Sequence, residues 1–403
     1  MLIVKKFGGS SVADKERIFN VARRCIEDYD KGNDVVVVLS AMGKTTDQLL
    51  AKAAEINPNA SKREMDMLLV TGEQVSVSLM TMALHSLGAA AISLNAAQVA
   101  MHTTSAYGSA RIKRIDTERI RNELDARKIV VVTGFQGINK KDDMTTLGRG
   151  GSDTTAVALA AALGADSCEI YTDVEGVYTA DPRIVPNARK MEEVTYDEML
   201  EFASLGAKVL HNRSVEMAKK YGVQLIVRSS LNTAEGTVVK EETKMEKMLV
   251  SGVAADKNTA RVSVIGVKDE PGIAFKMFNY LAKRGINVDI ILQSVGRGGT
   301  KDISFTVARN DLKETLEILN SNKASFTASD VEFEDGVAKL SIIGAGMTSN
   351  PGVAARMFEA LSSVYVNIKM IATSEIRITV LIAEEDVERA MRAVHDAFDL
   401  GEL

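Results

Sequence analysis

Over the first 238 residues, short β-branched and apolar runs alternate with longer stretches of helical spacing. The runs Leu2–Phe7, Asp34–Leu39, Ala90–Asn95, Ile129–Phe135, Cys168–Thr172 and Gln224–Ser229 predict strands. Val35–Val38 is valine throughout, which suits a strand covered on both faces. Between the strands, Lys15–Asp30, Lys62–Leu87, Thr117–Ala126, Asp153–Leu163 and Ala207–Tyr221 read as helices. Strands that alternate with helices of this length pair in parallel through right-handed crossovers. The expected fold class is α/β, a three-layer αβα sandwich with a mainly parallel sheet. In such sheets ligands collect at the carboxyl ends of the strands.

Beyond a charged stretch, Lys240–Lys247, the chain repeats itself. Val262–Gly266 corresponds to Leu340–Gly344, Pro271-Gly272 to Pro351-Gly352, and Met277-Phe278 to Met357-Phe358. Leu281 then matches Leu361, and Asn287 matches Asn367. Each copy reads as a ferredoxin-like βαββαβ unit. The expected division is a large domain over 1–238, a linker or crossing segment over 239–258, and repeat modules over 259–330 and 331–403.

Composition narrows the function without altering this layout. The 403 residues are 46% hydrophobic and 26% charged, ordinary values for a globular protein. A net charge of −5, with no interleaving of basic and aromatic residues, argues against nucleic-acid binding. Cys25 and Cys168 form no Cys-x-x-Cys pair and sit in apolar stretches, as buried thiols in a reducing compartment do. His85, His102, His211 and His395 lack metal-ligand spacing, and no metal site is expected. The apolar run at the N-terminus is too short for a signal peptide, and no stretch of about 18 apolar residues predicts a membrane span. A cytoplasmic location is expected.

Candidate chemistry lies in loops that follow the strands. Lys6-Phe7-Gly8-Gly9-Ser10-Ser11 places two glycines and a lysine before a helix, either a phosphate cradle or a tight turn beside an exposed lysine. Ser40–Thr46 contains Gly-Lys-Thr but is not a P-loop, because that motif needs glycine at position 38, where Val38 stands. Thr145–Thr155 holds Gly148-Arg149-Gly150-Gly151-Ser152-Asp153 at the start of an alanine-rich helix. An arginine between glycines offers a planar fork for a carboxylate or phosphate. Asp153 fits a helix N-cap, a metal-orienting acid or a partner for a lysine. Tyr171–Arg183 mixes acids, tyrosines and a Pro-terminated turn. Glu73, beside Gly72, fits a surface acid or a partner for an ammonium group.

Taken in order, these loops resemble the amino-acid kinase superfamily, and within it the aspartokinases. The two repeats resemble paired ACT domains. The resemblance covers essentially the whole chain. It implies ATP-dependent phosphorylation of the β-carboxylate of L-aspartate, with Mg²⁺ on the nucleotide. Lys6 would neutralise the transferring phosphate, with Phe7, Gly8, Gly9, Ser10 and Ser40 around it. Arg149, flanked by Gly150 and Gly151, would clamp the substrate α-carboxylate, and Glu73 its ammonium. Thr46 and Ser152 would hold substrate oxygens, and Asp153 would organise Lys6. Thr172, Asp173, Tyr178, Asp181, Arg183 and Lys208 would hold the nucleotide.

For the repeats, the resemblance implies feedback by lysine, threonine or both. The effector contacts would be Asp269, Gly272, Ile273, Ala274, Asn287, Asp289 and Gln293 in the first module. In the second they would be Val353, Asn367, Ile368, Ser374 and Glu375. It also implies a homo-oligomer held through the ACT modules. Met245 or Met248 could start an internally translated regulatory subunit. The rival readings are a kinase of another small acid, such as glutamate 5-kinase or acetylglutamate kinase, and an amino-acid sensor without turnover.

Overall fold

A computed structural model describes residues 1–205, 209–242, 249–296, 298–345, 347 and 350–402. Two compact units emerge. The first takes in Met1–Tyr178, Lys190–Ser204 and residues 209–242; the second takes in Thr179–Arg189, Leu205 and the described chain from residue 249.

The first unit opens with β1 (Leu2–Phe7), α1 (Lys15–Asp30), β2 (Asp34–Leu39), α2 (Thr45–Ile56), α3 (Lys62–Leu69) and α4 (Thr71–Ser86). It continues with β3 (Ala91–Leu94), β4 (His102–Thr103), β5 (Ile112–Arg114), α5 (Glu118–Asp125), β6 (Ile129–Thr133), β7 (Gln136–Ile138) and β8 (Met144–Thr146). Then come α6 (Gly151–Leu163), β9 (Ser167–Thr172), β10 (Glu193–Thr195), α7 (Tyr196–Ser204), α8 (Asn212–Tyr221), β11 (Leu225–Ser229) and β12 (Thr237–Lys240).

Among the described residues, the main sheet runs β10-β12-β11-β9-β1-β2-β6-β3. The stretch from β11 to β3 is parallel throughout. Val35–Leu39 is fully buried, as a strand covered on both faces requires. On one face, Ile18, Val21 and Cys25 of α1 meet Val77, Met80 and Leu84 of α4. The alanine-rich α6 covers β1, β2 and β9 and packs on α8.

A second sheet, β5-β4-β7-β8, escaped the sequence reading because its strands of two or three residues are too short for periodicity. The helix expected over Lys62–Leu87 breaks at Val70 into α3 and α4. Within the run Lys62–Ser86, an 18-residue window reaches a mean hydropathy of 1.4, enough for a membrane span by length and composition alone. That window is 56% buried, the mark of a helix packed into a protein core.

In the second unit, β13 (Gly252–Lys268) leads to α9 (Ile273–Ala282), β14 (Val288–Gln293), β15 (Thr300–Val307), α10 (Leu312–Asn322) and β16 (Asp330–Ile343). There follow α11 (Val353–Ser363), β17 (Met370–Thr373), β18 (Arg377–Ala383) and α12 (Val387–Ala397). The sheet order is β14-β15-β13-β16-β18-β17, every neighbour antiparallel. β13 and β16 pair from Gly252↔Ile343 to Ile265↔Asp330. Only Ala260–Lys268 of β13 carries β15, and only Val337–Ile343 of β16 carries β18. Each long strand therefore serves both repeats.

This corrects the expected boundaries. Residues 252–258 are not a linker but a strand of the second module, so the first module is inserted within the second. The second copy takes its remaining strand from upstream of the first copy, where the repeat has no matching landmark. The excursion Thr179–Arg189 also belongs to this unit, with Ala180 and Val185 in a core beside Val253, Leu361 and Val394. The Thr179 hydroxyl lies 3.0 Å from His395 Nε2, and Val253 N–H donates to the Thr179 carbonyl at 2.7 Å.

Candidate active site

The carboxyl ends of β1, β2 and β6 open into a cleft of about 830 Å³ in the first unit. Strand alternation decides which of two neighbouring lysines reaches it. Lys5 faces the other side of the sheet, fully buried among Asp28, Glu169 (3.2 Å) and Tyr171. Lys6 lines the cleft, and its Nζ lies 2.6 Å from Asp153 Oδ1 at the start of α6. That carboxylate oxygen accepts no aligned hydrogen bond.

Two glycines let three elements meet here. A Cβ on Gly9 would stand 2.5 Å from the Ala41 carbonyl oxygen, and one on Gly72 would stand 2.9 Å from the Ala41 Cβ. The loops after β1 and β2 are zipped by Gly43 N–H donating to the Gly9 carbonyl at 2.9 Å. Ser40 Oγ donates to Ser152 Oγ at 2.9 Å, tying the loop after β2 to α6.

Glu73, in the first turn of α4, is 3% exposed. One oxygen accepts from Ala41 N–H at 3.1 Å, and the other, Oε2, has no partner. Burial pushes its carboxyl up to about 7. Arg149 is exposed at the same cleft and makes no hydrogen bond or ion pair with any described residue. A buried unsatisfied carboxylate oxygen and an unpaired guanidinium are thus presented to one cavity, a donor set that fits the two α-carbon charges of an amino acid.

Of the residues singled out in the sequence, Lys6, Gly8, Gly9, Ser40, Thr46, Glu73, Arg149, Gly150, Gly151, Ser152 and Asp153 all line this cleft. Phe7 does not: its ring is fully buried and stacked 4.3 Å from that of Tyr171, so only its main chain can face a ligand. Ser10 is exposed, and its carbonyl accepts from Arg17.

Thr172 ends β9, the strand beside β1, and Asp173 and Tyr178 follow it. Thr172 Oγ1 accepts from Val174 N–H at 2.9 Å, and the Tyr178 hydroxyl reaches Glu175 at 3.4 Å. Asp181 and Arg183 form an ion pair of 2.7 Å within the second unit. Lys208, Met245 and Met248 lie outside the described residues. Two charged residues were not read from the sequence: Asp66, which lines the cleft, and Arg213, which donates to the carbonyl of Leu147 just before the Gly148–Gly150 arc. An acid within a charged helix reads as solvent-facing, and an arginine in the first turn of a helix carries no motif.

In the second unit, Asp269, Gly272 and Gln293 come to one end of the first module. Asp269 pairs with Lys301 at 2.8 Å. Asn287 lies at the opposite end of α9, and Asp289 on β14 pairs with Lys339 at 2.7 Å. Ser374 and Glu375 form the exposed turn between β17 and β18, near the start of α11, while Asn367 and Ile368 follow its far end. Ile273 and Val353 are buried core residues, and Ala274 is half-buried beside the first.

Residues 1–229 match the model of the amino acid kinase family, and residues 262–322 and 340–398 match an ACT domain. An aspartokinase of Bacillus sp. (strain MGA3) is 52% identical over 401 residues, covering 99% of this chain and 98% of that protein. The chain belongs to the aspartokinase family.

Its fold agrees with solved structures of that family. A crystal structure of E. coli aspartokinase III in complex with aspartate and ADP (R-state) superposes with a TM-score of 0.84 at 28% identity, covering 98% of this chain and 99% of that one. The same enzyme with lysine and aspartate (T-state) gives 0.80 at 27% identity, again over 98% and 99% of the two chains.

Proposed function

We propose that the chain is an ATP-dependent aspartate kinase that transfers the γ-phosphate to the β-carboxylate of L-aspartate, giving 4-phospho-L-aspartate and ADP. The observation that carries the substrate is the pairing, in one cleft, of the unsatisfied Glu73 Oε2 with the unpaired Arg149. Glu73 takes the α-ammonium and Arg149 forks onto the α-carboxylate. Thr46 and Ser152 stand beside them.

The β-carboxylate is ionised at neutral pH and needs no base. One of its oxygens bonds to the γ-phosphorus as the bond to the β-phosphate oxygen breaks, and that electron pair leaves on ADP. Catalysis is then positioning and charge neutralisation. Lys6 Nζ supplies the charge, held 2.6 Å from Asp153 Oδ1 so that it cannot fold away. The Gly8-Gly9 main chain follows directly. Mg²⁺ would arrive on the nucleotide phosphates and spread their charge; Asp153, at the same cleft as the Gly8-Gly9 main chain and already paired with Lys6, is the acid placed to face such an ion. Thr172, Asp173 and Tyr178 are assigned to the nucleotide from their place beside β1, and Asp181, Arg183 and Lys208 by family likeness.

The ACT modules are assigned to feedback by lysine, threonine or both, and to a homo-oligomer. Exposed Ile291 and Leu292 on the edge strand β14 and Ile371 on the edge strand β17 support pairing with another copy. A coupled assay of ADP release tests the activity. Turnover with L-aspartate and little with L-glutamate is expected. Preference for glutamate would overturn the substrate, and release with neither would leave a sensor.

A further inference from the structure

Asp66 on α3 and Arg213 in the first turn of α8 carry charges that the chemistry above does not use. Asp66 is 1% exposed, Arg213 is half-buried, and neither has an ion-pair partner among the described residues. Burying a charge without a counter-ion is costly unless hydrogen bonds replace the lost water. Both satisfy that need on the same piece of chain.

Asp66 Oδ2 accepts from Gly108 N–H and Thr146 N–H, each at 2.9 Å, and its Oδ1 accepts from the Thr146 hydroxyl at 2.7 Å. From the other side, Arg213 donates through Nη1 to the Leu147 carbonyl and through Nη2 to the Ala110 carbonyl, each at 2.9 Å. Ala110 N–H donates to the Thr146 carbonyl at 2.9 Å, and Leu147 N–H to the Phe135 carbonyl at 2.8 Å. Every main-chain polar group of Thr146 and Leu147 is therefore taken, one by the anion and one by the cation.

Immediately beyond stand Gly148, Arg149 and Gly150, with φ of +81° and +67° at the two glycines. A Cβ on Gly150 would lie 2.3 Å from the Cβ of His211, the residue that caps α8 two positions before Arg213. Arg149 is thus mounted on a short arc whose base cannot shift. Glu73 is fixed likewise, by burial and by its bond to Ala41 N–H.

We propose that Asp66 and Arg213 are positioning residues that set the distance between Arg149 and Glu73, and hence the length of amino acid the cleft accepts. The proposal rests on the assignment of those two side chains to the α-carbon charges. A fixed pair of clamps on the α-carbon leaves only one reach for the side-chain carboxylate, so a chain longer by one methylene misplaces the nucleophile. Misplacement by about 1 Å can cost about 100-fold in rate.

Steady-state kinetics of Asp66→Asn and Arg213→Lys tests this. The amide would turn a donor toward a main-chain N–H, and the ammonium cannot fork to two carbonyls. We expect KM for aspartate to rise about 10- to 100-fold, with KM for ATP changed less than about twofold, and the aspartate-to-glutamate ratio of kcat/KM to fall. Thr146→Val, which removes one donor to Asp66 and keeps the shape, should show the same pattern more weakly. Equal losses for both substrates, or an unchanged aspartate-to-glutamate ratio in folded protein, would overturn the proposal. Arg149→Lys is the control for the underlying reading. If it leaves KM for aspartate unchanged, the assignment of Arg149 fails; if it raises KM while the positioning variants do not, only the positioning role fails.

Discussion

Glu73 ties a measurable pH dependence to a single atom. Burial disfavours its charged form, so the carboxyl titrates near 7 in the free cleft, and an ammonium at Oε2 can be held only by the carboxylate. Binding of aspartate should therefore release protons near neutrality. Below pH 7 its apparent affinity should weaken by up to about tenfold per unit, recovering as pH rises. Stability runs the other way. The folded carboxyl holds its proton more tightly than the unfolded one, so this residue's contribution is greatest at low pH and is lost as pH rises toward 7. Calorimetry in buffers of different ionisation enthalpy reads the proton release, and Glu73→Gln should abolish it; release that survives in that variant would move the titration elsewhere. Glu73 was legible in the sequence because it stands beside Gly72 in an otherwise apolar run. Asp66 was not, since Lys-Arg-Glu-Met-Asp-Met looks like a solvated helix face and its partners, Gly108 and Thr146, are distant in sequence.

At the scale of elements, the cleft exists because the β1 loop, the β2 loop and α4 approach more closely than side chains allow. Gly9→Ala strains no dihedral but drives a methyl to within 2.5 Å of the Ala41 carbonyl oxygen. Overpacking of this kind costs about 1–3 kcal/mol. Because both loops face the cleft, most of that should fall on function, lowering kcat/KM by roughly 5- to 150-fold while circular dichroism stays native. Wild-type kinetics would mean that the loops relax freely. The strands flanking these loops were readable because valine-rich runs and glycine punctuation are local signals. The small sheet β5-β4-β7-β8 was not, although it delivers Thr146 to the cleft, because pairing between two-residue strands is decided by tertiary contacts. The break at Val70 has the same origin: its carbonyl accepts from the side chain of Gln136, far along the chain.

At the scale of the whole chain, the duplication was legible but its geometry was not. Shared clefts between the Pro-Gly loops follow from placing two modules side by side, yet β13 and β16 run antiparallel over their full pairing. The loop after β13 and the loop after β16 therefore stand at opposite ends of one sheet, about 50 Å apart for the 17 residues of β13 at roughly 3.3 Å per residue. Asp269 and Gln293 belong to one end, Ser374 and Glu375 to the other. On the proposed assignment of the modules to feedback, these ends are two separate places at which an effector is read. The second module also holds Thr179–Arg189 in its core, and that segment continues directly from the loop ending at Tyr178. A change of packing in the module has a covalent route to that loop. Coupling between effector and active sites is typically about 1–3 kcal/mol, or roughly 5- to 150-fold. Gln293→Ala and Ser374→Ala should each leave uninhibited turnover near wild type and move the lysine or threonine inhibition curve to higher concentration. Sites this far apart should contribute additively in the double variant. If only one substitution moves the curve, only that end senses the effector. If neither moves it, the effector binds elsewhere in the modules, and Gln293 and Ser374 serve the sheet alone.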